Sequence, residues 1–322
     1  MPVGSPPLAQ RVKRWGRQRL PDRYERALLY YDAFGRLPRW RDAQLWSEKI
    51  NLRVVLDRRP VIAMMGDKLA MRDYAIQTVP SLRAPAVLWS GTDVADLAHV
   101  SLPPDWVLKP NHRSGDVYFG SGPVDDVSGL RRATSGWLDE FRYCREWCYS
   151  QARRLLVVEE RIGGLEAAPE DYKFFAFDGE VFTVQHHVSR FTGHAIRHYT
   201  PDWAPLEVTC TKPLAAVLAP PPALADMLAA ARALSRGLDF VRVDLYDDQG
   251  TAVFGELTPY VGSAFAPFVP AAFDTQLGEA WALPPEVTIA MGRPGAEVFR
   301  RALEEALVWA HSRGKSPAVG PG

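Results

Sequence analysis

The chain has 322 residues, 47% of them hydrophobic and 24% charged, which is ordinary for a globular protein with room for a large core. Its 38 Lys and Arg balance 38 Asp and Glu, so no global field draws it to nucleic acid or to an anionic membrane. Three cysteines are too few for a disulfide framework and point to a reducing cytoplasm. No apolar run approaches the ~18 residues of a membrane span, and no apolar signal stretch follows the charges near the N-terminus.

In chain order, residues 1–60 are basic, with 14 Lys/Arg against 6 Asp/Glu, and read as a solvated helical face. From Pro21 to Val55 the spacing of Tyr24, Leu28, Tyr31 and Phe34 predicts helix, punctuated by Pro38 and Pro60. A further helix is expected from Asp67, a plausible N-cap, which puts Lys68 in the first turn, where the helix dipole offers a cation no stabilisation. Trp106-Val-Leu-Lys109 reads as a strand that ends at Pro110, followed by the loop Asn111–Asp116. Residues 128–150 read as one helix, on which Cys144 and Cys148 share a face in a structural role. Leu155-Leu-Val-Val158 is an apolar strand closing on Glu159-Glu160.

Two hairpins follow. Residues 172–177 and 181–185 flank Asp178-Gly179, the pair a type I′ turn favours. Residues 223–236 form a helix stopped by Gly237, and a second hairpin joins Phe240–Tyr246 to Ala252–Leu257. Helices interleaved with hairpins predict an α+β fold with much antiparallel sheet.

Alternation along Phe240–Tyr246 places Val241, Val243 and Leu245 on a core face and Arg242 and Asp244 on the other. Glu256 joins Asp244 on that second face if the turn holds an odd number of residues, five from Asp247 to Thr251. Glu256 is then opposite Arg242 and roughly 7–8 Å from Asp244. Two carboxylates so placed suit a hard cation, although read alone they suit a salt bridge to Arg242 equally well. Lys109, embedded between Leu108 and Pro110, needs an anion or a route to water, and the adjoining Ser114-Gly115 loop can turn N–H groups inward toward phosphate. Asp171-Tyr-Lys173 places another lysine on a strand.

The order of these motifs resembles the ATP-grasp superfamily, and within it the TupA-like branch. The stretches that carry the likeness are Asp67-Lys68, Arg72-Asp-Tyr74, 106–112, Arg145-Glu-Trp147, 171–175, Arg190-Phe191, Asp202-Trp203, 240–246 and 254–258. They run from about residue 36 to 275. The resemblance implies an ATP-grasp fold in which two mixed α/β subdomains grip ATP. The divisions expected are a helical segment over 1–60, the start of the grasp over 61–105, a lid over 106–158, a catalytic subdomain over 159–285, and a C-terminal helix and tail over 286–322.

It also implies that ATP is met by Lys68, Lys109, Ser114, Gly115, Glu159, Glu160, Ile162 and Lys173. Mg²⁺ is assigned to Asp244 and Glu256, with Thr258 standing where many ATP-grasp enzymes carry Asn. Catalysis is assigned to Arg242 and Lys109, and substrate contacts to Arg190, Arg197 and Ser263. The implied activity is joining a small carboxylic acid to an amine through an acyl phosphate. A phosphotransferase and a nucleotide-binding module stay open, as does a homo-oligomeric state.

Overall fold

A computed structural model of the chain describes residues 21–141, 144–163, 170–188 and 193–291. Helix α1 (Asp22–Phe34) carries Asp22 and Glu25 in its first turn and ends at Gly35, whose φ of 69° is the left-handed cap conformation. The predicted break around Pro38 is present, and α2 (Trp46–Leu56) follows. After α3 (Pro60–Met64), Asp67 caps α4 (Lys68–Thr78) by accepting from the Ala70 N–H at 2.9 Å.

Next come β1 (Val87–Gly91), β2 (Trp106–Pro110), β3 (Tyr118–Gly120), α5 (Val127–Ala133), α6 (Trp147–Gln151) and β4 (Leu156–Glu160). The single helix expected over 128–150 is therefore broken. Gly136 takes φ 78°, and Cys144 and Arg145 take φ 46° and 60°, so the chain turns three times where one helix would have run straight. Cys144 and Cys148 do not share a helix, and the three cysteines are free thiols.

The rest of the chain builds β5 (Asp171–Phe177), β6 (Glu180–Val188), β7 (Ala195–Tyr199), β8 (Pro205–Leu206), α7 (Leu224–Ser235), β9 (Val241–Asp248), β10 (Thr251–Thr258), α8 (Ala272–Glu279) and α9 (Pro285–Met291). Among the described residues the strands form two sheets. One has four strands in the order β1-β4-β2-β3, and the other has six in the order β10-β9-β5-β6-β7-β8. Every paired neighbour is antiparallel, as the hairpin pattern predicts.

The six-stranded sheet has two unlike faces. Tyr172, Phe174, Ala176, Val184, Val241, Val243, Leu245 and Leu257 line one, where α7 lays down Met227, Ala230, Ala231 and Leu234 at helical spacing and α4 adds Met71 and Ala75. On the opposite face, Phe175, Phe177 and Phe240 pack against Trp46 of α2 and Phe273, Leu277 and Trp281 around α8. This aromatic core stops at Phe175. Two residues further toward the other end of β5, polar residues take over the same face, and that boundary positions the site.

Candidate active site

Register across five strands sets a single row of polar side chains on that face. Glu256 pairs with Asp244, Asp244 with Lys173, Lys173 with Gln185, and Gln185 with His198. Cross-strand partners share a face, so β10 through β7 each contribute one polar group to one line. Arg242 and Thr258 pair in the next row, and Asp171 and His187 pair in the row on the other side.

The hairpin reaches this arrangement by a route the sequence reading did not foresee. The turn is not five residues long. Thr251 pairs directly with Asp248 across a two-residue turn of Gln249 (φ 54°) and Gly250 (φ 86°). An even turn alone would put Glu256 on the core face. A β-bulge at Gly255 shifts the register by one and restores Glu256 to the cleft face, directly opposite Asp244 and not opposite Arg242. Only glycine fits there without displacement, because a Cβ would lie 2.9 Å from the Asp244 carbonyl oxygen and 3.1 Å from the Tyr246 ring. A lone glycine inside an apolar strand was the signal available for this bulge.

The carboxylate of Asp244, 1% exposed, is held from two sides. Arg242 donates to both oxygens at 2.6 Å, and Lys173 donates to Oδ2. Lys173 also pairs with Asp171 at 2.8 Å. Arg242 reaches further, to Glu256 Oε1 at 3.4 Å and Thr258 Oγ1 at 3.1 Å, while the Thr258 hydroxyl donates to Glu256 at 3.3 Å. Burial penalises the Arg242 charge, but Asp244 outweighs that penalty and holds the guanidinium pKa above its ordinary value. The Glu256 side chain remains 41% exposed.

On the four-stranded sheet, Trp106, Leu108, Leu156 and Val158 face an apolar core, and Lys109 and Glu159 share the other face as an ion pair. Lys68 stands where the two sheets converge. Its ammonium feels Glu256 from one sheet and Lys109 and Glu159 from the other, and burial in the cleft pushes its pKa down to about 8. Its Nζ donates to the Arg113 carbonyl at 2.6 Å, at the base of the Ser114-Gly115 loop. Asp67 fixes Lys68 from behind. Burial raises the carboxyl's pKa, but hydrogen bonds from Arg153 and the Ala70 N–H overcome this and hold it at about 2.

Arg242, Asp244, Glu256, Thr258, Lys173, Lys68, Lys109 and Glu159 are thus brought to one cleft. Ser114 and Gly115 lie exposed on the loop beside it, Gly115 with φ 93°, and Ile162 is buried just beyond β4. Three of the expected residues lie apart from this cleft. Glu160 alternates to the opposite face from Glu159 and pairs with Arg83. Arg197 pairs with His186 on the helix-packed face, where it bonds the Ala215 carbonyl at 2.6 Å and Glu207 at 2.8 Å. Ser263 is 1% exposed, its hydroxyl donating to Glu146, so it is not an open wall of the cleft. Arg190 lies outside the described residues. Sequence reasoning missed the bulge at Gly255; it placed Gln185 and His187 in a basic polar segment and Asp171 in a strand motif, without the register that aligns them with Lys173.

A family model for TupA-like ATP-grasp proteins matches residues 48–282. The chain belongs to the TupA-like ATP-grasp family. Its α+β architecture is accordingly the ATP-grasp fold. Among solved structures, D-alanine–D-alanine ligase from Bacillus anthracis is similar at 16% identity and a TM-score of 0.40, the match covering 76% of this chain and 70% of that one. L-amino acid ligase from Bacillus licheniformis is similar at 18% identity and a TM-score of 0.37, over 62% of this chain and 41% of that one. The chain therefore spans less than half the length of the second. A comparison with curated protein sequences gives no match.

The donor set of this TupA-like protein fits a magnesium ion bound together with nucleotide. Among the described residues no three His, Cys, Asp or Glu side chains form a ready metal cage. Magnesium does not ask for one, because it usually takes one or two carboxylates and fills its remaining positions with phosphate oxygens and water. Glu256 and Asp244 are two such carboxylates in direct cross-strand register, with the Thr258 hydroxyl bonded to Glu256.

Proposed function

We propose that this protein is an ATP- and Mg²⁺-dependent carboxylate–amine ligase, acting in the cytoplasm on amino-acid or peptide-like substrates in secondary metabolism or cell-surface polymer synthesis. The observation that carries the reading is the row Glu256–Asp244–Lys173 beside Arg242, opposite Lys68 and Lys109. Two carboxylates for a metal and four cations for phosphate and carboxylate oxygens are what phosphoryl transfer onto an acid requires, since positioning and charge stabilisation carry most of that catalysis.

Lys68 and Lys109 hold the nucleotide phosphates in this reading, and a metal on Asp244 and Glu256 would neutralise charge on the transferring phosphoryl group. Arg242, planar and bidentate, orients the acid as its oxygen attacks the terminal phosphorus. The product of that step is an acyl phosphate, from which the amine displaces phosphate to give an amide.

The test is release of ADP and phosphate when candidate acids and amines are supplied with ATP and Mg²⁺, with the product identified by mass spectrometry. An amide supports the reading, and a stable phosphate ester would replace it with a phosphotransferase. Arg242→Ala should lower kcat ~10²–10³-fold, the cost of losing one oxyanion-type donor. If Asp244→Asn combined with Glu256→Gln leaves ATP turnover intact, the metal assignment is wrong.

A further inference from the structure

Helix α6 is pressed against the turn that carries Lys68. A Cβ at Gly66 would lie 2.2 Å from the Cys148 carbonyl oxygen and 3.0 Å from the Tyr149 nitrogen, so the two backbones touch there, which glycine alone permits. Cys148 is fully buried, packed with Val54, Ile62 and Tyr260. Asn111, also fully buried, binds the same corner together. Its carbonyl accepts from the Lys68 N–H at 3.2 Å and its Oδ1 from the Leu69 N–H at 3.0 Å, while its Nδ2 donates to the Arg153 carbonyl at 2.9 Å. The start of α4, the start of the Asn111–Asp116 loop and the segment leaving α6 are therefore held in one geometry.

Tyr149 is carried on that frame. Its half-buried phenol lies beside the Ser114 hydroxyl on the phosphate loop and in the field of Glu256 on the other sheet. Burial, with the charges of Glu146, Cys148 and Glu256, holds its pKa well above the ordinary tyrosine value, against a hydrogen bond from Ser114, so the phenol stays protonated. Two hydroxyls that share one hydrogen bond use one hydrogen between them and leave the other to donate. The pair thus brings a neutral donor to the space between the loop and Glu256. Lys68, Lys109 and Arg242 are already cations of this cleft. A terminal phosphate has three outer oxygens, and a neutral donor serves one of them without adding to the repulsion among those cations.

We propose that Tyr149, paired with Ser114, donates a hydrogen bond to the terminal phosphate of the bound nucleotide. This rests on the ATP-dependent ligase reading above. In the transfer step the acid oxygen forms its bond to the terminal phosphorus, the bond from that phosphorus to the bridging oxygen breaks, and ADP leaves with the electron pair. The phenol keeps its proton throughout and touches only the group in transit.

The experiment is isothermal titration of the full chain, in Mg²⁺, with ADP and with the β,γ-imido analogue of ATP, which keeps the terminal phosphate without turning over. Tyr149→Phe retains the ring and should weaken the analogue ~10–100-fold, the range for a hydrogen bond to a charged group, while ADP affinity stays within a few-fold. Ser114→Ala should show the same preference, and the double variant should lose little more than either single one, because the two hydroxyls act as a unit. Should Tyr149→Phe fail to fold, Ser114→Ala on its exposed loop carries the same comparison. Equal weakening of both nucleotides marks a structural strut and overturns the proposal, as does unchanged binding of the analogue. Wild-type protein that binds neither nucleotide overturns the nucleotide site and this contact with it. Wild-type protein that binds both yet makes no amide from any acid and amine overturns the ligase reading and leaves the Tyr149 contact standing.

Discussion

At the scale of single residues, the cleft is a problem in placing charge where water is scarce. Lys68 illustrates it. Its sequence position promises only a lysine in a first helical turn, yet burial between Glu256, Lys109 and Glu159 lowers its pKa to about 8. A lysine depressed in this way loses its charge as pH rises through about 8, well below the ordinary lysine range. Affinity for MgADP should therefore be flat up to about pH 7.5 and then fall by as much as ~10-fold per pH unit. Isothermal titration between pH 7 and 9.5 checks this, and Lys68→Arg should flatten the profile. Glu146 runs the other way. Burial raises its carboxyl to about 7, against the hydrogen bond from Ser263 and the charge of Arg26. The folded state then binds a proton that the unfolded chain has lost, so stability should decline as pH rises from about 4.5 through 7. Thermal melts of Glu146→Gln across that window should lack this slope. That Lys68, Lys109, Asp244 and Glu256 gather at one cleft was legible from the sequence because motif order carries it. The continuation of the row from Lys173 through Gln185 to His198 was not, because these residues become neighbours only through strand register.

At the scale of elements, alternation was legible wherever an uninterrupted strand carried it. Val241, Val243 and Leu245 face the core and Arg242 and Asp244 the cleft, as the period of two requires. The Asp178-Gly179 turn also forms as expected, with φ 45° and 88°. What alternation could not reveal is where the period slips. The expected five-residue turn and the observed two-residue turn with a bulge both place Glu256 beside Asp244, and they differ in every other pairing. Gly255→Ala should separate the two, because the added methyl meets the Asp244 carbonyl oxygen at 2.9 Å. The cost of such overpacking is about 1–3 kcal/mol, read from urea unfolding, and weaker Mg²⁺-dependent nucleotide binding should accompany it. A plain five-residue turn would place no such demand on residue 255. The broken 128–150 helix has a similar origin. Apolar periodicity was present, but Gly136 and the left-handed Cys144 and Arg145 interrupt it.

At the scale of the whole molecule, the two sheets are tied by a few charged contacts whose partners lie far apart in sequence. Arg83 bonds Glu160 at the end of β4 and Asp248 at the end of β9, the latter at 2.5 Å, and its carbonyl accepts from the Phe254 N–H at 2.8 Å. Partly exposed pairs of this kind contribute about 0.2–1 kcal/mol each, so Arg83→Ala should leave Tm almost unchanged. Its effect should appear as faster hydrogen exchange at residues 83–91 and 248–254, where the sheets meet. On the far side, Arg26 reaches Asn51, the Cys144 carbonyl and the Ser263 carbonyl at 2.9, 3.0 and 2.7 Å, binding the first helix to the loop after β10. Such long-range ties leave no periodic trace in a sequence. Arg26 and Arg53 read as surface cations of a basic segment, whereas both are buried, Arg53 against Asp239 and the Trp281 ring.

The ion cluster around Asp244 has a consequence for how the protein is made. Arg242 and Lys173 set two positive charges against the three carboxylates of Asp171, Asp244 and Glu256, so the cluster is nearly neutral before any metal arrives. Domains whose ligands repel one another without metal must wait for it in order to fold. A near-neutral cluster imposes no such dependence, so stripping divalent ions with a chelator should leave the melting temperature unchanged while the proposed Mg²⁺-dependent nucleotide binding disappears. In the proposed reading, newly synthesised molecules would then mature without magnesium and take up the ion only together with nucleotide.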